Sequence, residues 1–337
     1  MIELIKRLSA ERGISGDEGR VRAIIEQELS GVCDLSVDPL GNLFAIKKGT
    51  TPNKKIVFFA HMDEVGLLVT HITEEGLLKF SSIGIDPRVL YGRRMLVGEN
   101  AIPAVVGAKV WHHLESSERE SPLKTENLFL DIGVSCKATA AAVISLGDAA
   151  VFDVPFIEFG NGLIMSKALD NRIGCALLIH LLKSDQPYEI SGIFTCGEES
   201  SLFGATAAAF TAQADIAVIL ETTTAADIDA TPADKRVCAL GHGPVVSFAD
   251  KGTLYDRELF SLSMKLAEGC NIPVQTKEGV YGGNEARVVS RAGKGARTVA
   301  ISVPCRYLHS PSCVADISDV FATADLLTRL PSRLANL

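Results

Sequence analysis

The stretch "FFAHMDEVG", Phe58 to Gly66, decides how this chain is read. Lys55 precedes an apolar run of Ile56, Val57, Phe58, Phe59 and Ala60, the pattern of a strand buried on both faces. His61, Asp63 and Glu64 then arrive within four residues. In open α/β sheets the ligand crevice lies beyond the carboxyl ends of the strands. A buried strand that finishes in this much polar chemistry therefore points to a site.

Three other apolar runs end in the same way. "EISGIFTCG" leads into Glu198 and Glu199, "ADIAVIL" into Glu221, and "RTVAISVPCRYL" into His309. A further acid, Asp170, opens the helix after "MSKAL". Two histidines with several carboxylates suit zinc, cobalt or manganese. The set exceeds the three or four ligands of one ion. The surplus suggests two ions sharing a bridging carboxylate, with one carboxylate left for acid–base work. Each residue also has an ordinary reading: a strand-end histidine as a hydrogen-bonded structural residue, Glu198 and Glu199 on opposite strand faces, Asp170 as a helix N-cap. Their coincidence at successive strand ends favours a site.

Around this framework the sequence predicts a helix over 2–12, a capping box at Ser15–Glu18 with a helix from about 17 to 30, and a hairpin over 34–47. From about 70 to 160 the texture changes to short β-like runs (67–72, 77–81, 94–97, 104–110, 127–132, 150–153), with a helix near 136–144. This stretch reads as an all-β insertion in a discontinuous catalytic domain of 1–69 and 161–337. The α/β rhythm then returns: a helix at 171–183, a strand at 189–195, a helix near 202–212, a strand at 215–220, a helix at 254–269, a strand at 297–303 and a helix at 316–330. Strands alternating with helices imply a mixed sheet covered on both faces, an α/β/α sandwich.

The 337 residues, 47% hydrophobic and 22% charged, suffice for a large core without staples. A net charge of -8 without a basic run argues against nucleic acid or anionic membrane as partner. The N-terminus, MIELIKRLSAERG, lacks a signal-peptide pattern, and no apolar run is long enough to span a membrane. Eight scattered cysteines with no CxxC pair read as reduced thiols, and the expected address is the cytoplasm.

Six stretches, "AHMDEVGLLVTHI", "GIDPRVLYGRRMLVG", "LFLDIGVSCK", "ALDNRIGC", "GEESSLFGA" and "ISVPCRYLHSP", resemble metallopeptidase family 42, which includes glutamyl, deblocking and tetrahedral (TET) aminopeptidases. The resemblance covers essentially the whole chain. It implies that His61 and Glu221 complete a first metal site, Glu199 and His309 a second, and Asp170 bridges them. It further implies that Asp63 buttresses His61 and that Glu198 is the general base. The implied activity is release of N-terminal residues from peptides, with two divalent ions, zinc or cobalt, as cofactors. The insertion is implied to be a PDZ-like or barrel-like module for homo-oligomers, from dimer to dodecamer. Two departures stand out: Glu221 where the family usually has aspartate, and "YGGNEARVV" (281–289) where it reads Gly-Gly-Thr-Asp-Ala. Both leave the substrate open, so a deacylase or carboxypeptidase-like hydrolase is an alternative. A glycoside hydrolase needs two carboxylates flanking a sugar bond. A thiol hydrolase would use Cys196 or Cys305 with His309, and a non-enzymatic assembly protein would bind metal weakly or not at all.

Overall fold

A computed structural model gives the structure of the chain; it describes every residue except Asn53, Ser117, Glu118, Glu120, Ser121 and Ala230. The chain enters through α1 (Ile2–Ala10) and α2 (Gly19–Leu29), whose apolar sides supply Ile5, Leu8, Val21, Ile25 and Leu29 to the core. The hairpin of β1 (Asp34–Val37) and β2 (Leu43–Lys47) follows, closed by Asp38, which accepts from Leu40 and Asn42 backbone amides. β3 (Ile56–His61) is buried at every residue. Its side chains alternate between two cores: Ile56, Phe58 and Ala60 join one, Val57 and Phe59 the other.

The chain then leaves the sheet. β4 (Gly66–Ile72), β5 (Leu78–Ile83), β6 (Arg94–Val97), β7 (Ile102–Ala108), β8 (Leu128–Asp131) and β9 (Ala149–Phe152) form a closed six-stranded barrel in the order β4-β5-β8-β7-β6-β9. Closure leaves no free sheet edge. The barrel has its own core of residues such as Leu67, Met95, Val106, Leu130 and Phe152. The helix expected near 136–144 is the single turn and a half of α3 (Lys137–Ala141).

β10 (Ile157–Phe159) and β11 (Leu163–Ser166) return to the main sheet, which adds α4 (Leu169–Lys183), β12 (Ile190–Thr195), α5 (Glu198–Ser201), α6 (Phe203–Ala212) and β13 (Ile216–Thr224). β14 (Val245–Ser247), α7 (Arg257–Gly269), β15 (Gln275–Thr276), α8 (Ala286–Val289), β16 (Arg297–Arg306), β17 (Cys313–Asp316) and α9 (Ile317–Leu334) complete the chain. The eleven-stranded sheet runs β1-β2-β12-β3-β13-β16-β17-β11-β10, with β14 on β16 and β15 on β14. β12, β3, β13 and β16 are parallel and central; their flanks are antiparallel. α1, α2, α4, α7 and α9 cover one face, and α6 and α8 the other. The architecture is the expected α/β/α sandwich with an inserted barrel.

The capping box at Ser15–Glu18 does not form. The Ser15 hydroxyl donates to Asp63 instead (2.6 Å), and the Glu18 side chain accepts from the amides of Gly16 and Gly197. A long-range acceptor in a buried setting outcompetes the local cap. No helix among the described residues is long and apolar enough to cross a membrane.

Candidate metal centre

Parallel register brings the proposed residues together. Thr195, the last residue of β12, lies opposite His61, the last of β3. Glu221 lies within β13, opposite Ser302 of β16, and the strand continues three residues beyond it. His309 sits in the turn between β16 and β17. Asp170 belongs to the first turn of α4, but with a backbone outside helical values (φ -83°, ψ 106°), so it is not the helix cap.

Glu198 and Glu199 do not lie on opposite faces of a strand. β12 ends at Thr195; Gly197 adopts φ +67°, and the two glutamates begin the short helix α5. Asp63 builds this turn: its Oδ1 accepts the Glu198 amide (3.0 Å) and its Oδ2 the Glu199 amide (3.0 Å). His61 Nδ1 meets both the backbone carbonyl of Asp63 (3.2 Å) and its Oδ1 (3.3 Å). One buried residue thus fixes a histidine ring and the start of the glutamate turn. Glu64, in the same motif, points elsewhere: it pairs with Lys167 (2.7 Å) and Arg172 in a buried cluster that ties down Glu11 and Gly13.

Among the described residues three donor trios form: His61, Glu198 and Glu199 make one, and the other two share Asp170. His61 Nε2 lies 3.5 Å from Asp170 Oδ1 and 3.5 Å from Glu221 Oε2. His309 Nε2 lies 3.6 Å from Asp170 Oδ2 and 3.3 Å from Glu199 Oε2. Within each trio the donor atoms lie within 4.8 Å of one another. Asp170 therefore turns one oxygen to each of the two trios that share it. Asp170 Oδ1, Glu199 Oε1 and Glu221 Oε1 are buried with no hydrogen-bond partner. Such orphaned carboxylate oxygens are costly unless a cation answers them, and imidazole with carboxylate is a fitting donor set for a divalent ion. By this test the residues fit a divalent metal.

The electrostatics show the same strain. Burial pushes the Glu199 carboxyl up to about 8, with Asp170 adding and His309 opposing. Burial also holds Glu198 well above the usual carboxylate range; His61 opposes, and Glu221, Glu199 and Glu285 add. For His309 burial works downward, but Asp170 and Glu199 carry its imidazole to about 9. Asp170 is held low against its own burial by the two imidazoles that face it. Carboxylates crowded together out of water favour either protons or a cation.

Several participants carried no local signal. Glu285 is fully buried beneath the site; it accepts a hydrogen bond from the Thr195 hydroxyl, and its other oxygen is unpartnered. Burial raises it to about 8. It belongs to the 281–289 loop that departs from the family pattern. Cys175 donates to the His61 carbonyl (3.1 Å), and Asn171 to the Leu220 carbonyl (2.7 Å). All eight cysteines are unpaired. Burial lifts the Cys196 thiol to about 12 and Cys305 well above its usual value, which disfavours either as a thiolate nucleophile.

Histidine and carboxylate donors that could hold a metal ion, gathered at the carboxyl edge of an α/β/α sheet, point to the metallopeptidase class. The comparisons narrow this. Residues 41–326 match the family described as M42 glutamyl aminopeptidase. A candidate aminopeptidase of Acetivibrio thermocellus is 35% identical, covering 97% of each chain. The solved TET aminopeptidase of Thaumarchaeota archaeon SCGC AB-539-E09 superposes with a TM-score of 0.95 at 29% identity, covering 99% of this chain and 96% of that one. The Pyrococcus horikoshii TET1 peptidase, which assembles into a tetrahedron or a large octahedral shell, gives a TM-score of 0.86 at 32% identity, covering 98% of each chain. The chain belongs to the M42 glutamyl aminopeptidase family, and its class is that of the hydrolytic exopeptidases.

Proposed function

We propose that this chain is a two-metal aminopeptidase that releases the N-terminal residue of peptides, with Glu198 as general base. The observation that carries the reading is Asp170, whose two oxygens face two separate histidine–carboxylate groups. His61 and Glu221 would hold one ion, Glu199 and His309 the other, with Asp170 common to both. Bound divalent ions supply Lewis acidity: they make water a nucleophile near neutral pH and polarise the scissile carbonyl. The chain's own residues do the rest. Glu198, one residue from a ligand and itself outside the two trios that share Asp170, takes the proton of the attacking water and delivers it to the leaving amine. Its elevated proton affinity suits it to hold that proton between the two transfers. Asp63 keeps His61 in one tautomer and aims the Glu198–Glu199 turn.

Assembly of related TET peptidases into shells supports a homo-oligomer, with the barrel as its assembly unit. The unpaired thiols fit a reducing cytoplasm. The test is a panel of free and N-acylated peptides, with and without chelator. The expected result is chelator-sensitive release of the first amino acid from free peptides only. Turnover of the N-acylated set would instead assign Glu221 to a deacylase or carboxypeptidase-like reaction.

A further inference from the structure

A barrel residue lies against the donor groups. Gly84 follows β5 with φ +70°, in the left-handed region that glycine tolerates. A Cβ built on it would stand 3.1 Å from Glu199 Oε2 and 2.5 Å from Val65 Cγ1. Its backbone also lies within interaction range of the His309 imidazole. His309 Nε2 faces Asp170 and Glu199. One barrel residue thus lies beside Glu199 and His309, the two partners of Asp170 in the second group.

The first group is held differently. His61 takes its partner, Asp63, from two residues along its own chain segment, and its side chain is 2% exposed. His309 is 42% exposed, in a turn at φ +59°. Without an outside acceptor its ring has little to fix its orientation. A metal-binding imidazole is usually oriented by an acceptor on its far nitrogen, and losing that acceptor costs about ten- to a hundredfold in metal affinity.

We propose that Gly84 is a positioning residue for the Asp170–Glu199–His309 group, so that the inserted barrel completes the second metal position while the first is built by the sheet alone. The absence of a side chain lets the Glu199 carboxylate approach, and the backbone orients His309. This inference rests on reading the two trios as metal positions.

The probe is zinc, titrated into chelator-stripped full-length protein, with bound zinc per chain read by elemental analysis and affinities by calorimetry. Wild type should take up two zinc ions per chain. Gly84→Ala should bind the first as wild type does and the second about ten- to a hundredfold more weakly. The added methyl also meets Val65, so Gly84→Ala is paired with Val65→Ala/Gly84→Ala, which relieves that contact and keeps the one with Glu199. Val65→Ala alone should leave both affinities unchanged. Selective loss of the second ion in the double variant supports the proposal. Two wild-type affinities in that variant, or equal weakening of both, overturns it. A wild type that never exceeds one zinc per chain removes the second position itself, and that outcome is visible before any variant is made.

Discussion

The two donor groups share an aspartate but not a method of construction. His61 and Glu221 come from adjacent parallel strands, are almost fully buried, and owe their placement to sheet register. Glu199 and His309 come from a short helix and a turn, and His309 is substantially exposed. The first group is scaffold; the second is assembled from loops that other elements must steady. Ala168, Leu202, Tyr307 and His309 all adopt left-handed backbone angles around the site. Such residues cost about 1–3 kcal/mol each and persist where surrounding structure over-determines them. The lesson is that rigidity is unevenly distributed, and the side built from turns is the side where tuning is expected.

The largest expected effect separates holding metal from using it. Glu198→Gln should retain wild-type zinc content while kcat falls by about 10²–10⁴-fold. Near-normal turnover would remove Glu198 from its role. A pair of histidine variants then contrasts the groups. His61→Ala leaves Asp63 buried without its ring partner and should destabilise the stripped fold by about 3–5 kcal/mol. His309→Ala also leaves Asp170 and Glu199 without an imidazole, but at a ring that is 42% exposed and screened by water, so it should destabilise the stripped fold less than His61→Ala does while losing one ion. Equal destabilisation, read by denaturant unfolding, would break the contrast.

The pH response of metal-stripped protein comes next. Glu18 is raised by burial to about 7, and Glu199 and Glu285 to about 8, from an ordinary 4.5. His309 is raised to about 9 from 6.5. In each case the folded chain binds protons that the unfolded chain has already released. Stability must therefore fall as pH rises, across about 5 to 9. Asp170 has the opposite sign, but its window lies in acid, below its ordinary 3.8; His180, lowered by burial from 6.5, opposes the trend at the acid end of the range. Unfolding midpoints that rise with pH over this range would contradict the picture; added zinc should flatten the decline, because cations then replace protons. The smallest effect belongs to Ser15→Ala, which removes one hydrogen bond to Asp63 and should cost about 1 kcal/mol with zinc content intact.

Much of this was legible because it obeys local rules. The buried strand into His61, the apolar run into Glu221 and the change of texture at the barrel are all visible in short windows. What escaped notice depends on pairing at a distance. The capping box at Ser15–Glu18 obeyed its local pattern and still lost to Asp63, 48 residues away. Glu285 reaches Thr195 across 90 residues, and only the unusual loop around it hinted at a role. β14, β15 and β17 are two to four residues long and exist because neighbouring strands offer hydrogen bonds, not because their sequence alternates. Glu198 and Glu199 read as residues of a strand end, but Gly197 turns the chain into a helix before they arrive.

The central claim is that one aspartate serves two cations. Anomalous diffraction at the zinc edge, on crystals of zinc-loaded protein, tests it most directly. The account predicts two peaks, both within bonding distance of Asp170, one beside His61 and Glu221 and the other beside Glu199 and His309. A single peak, or a second one out of reach of Asp170, would contradict it.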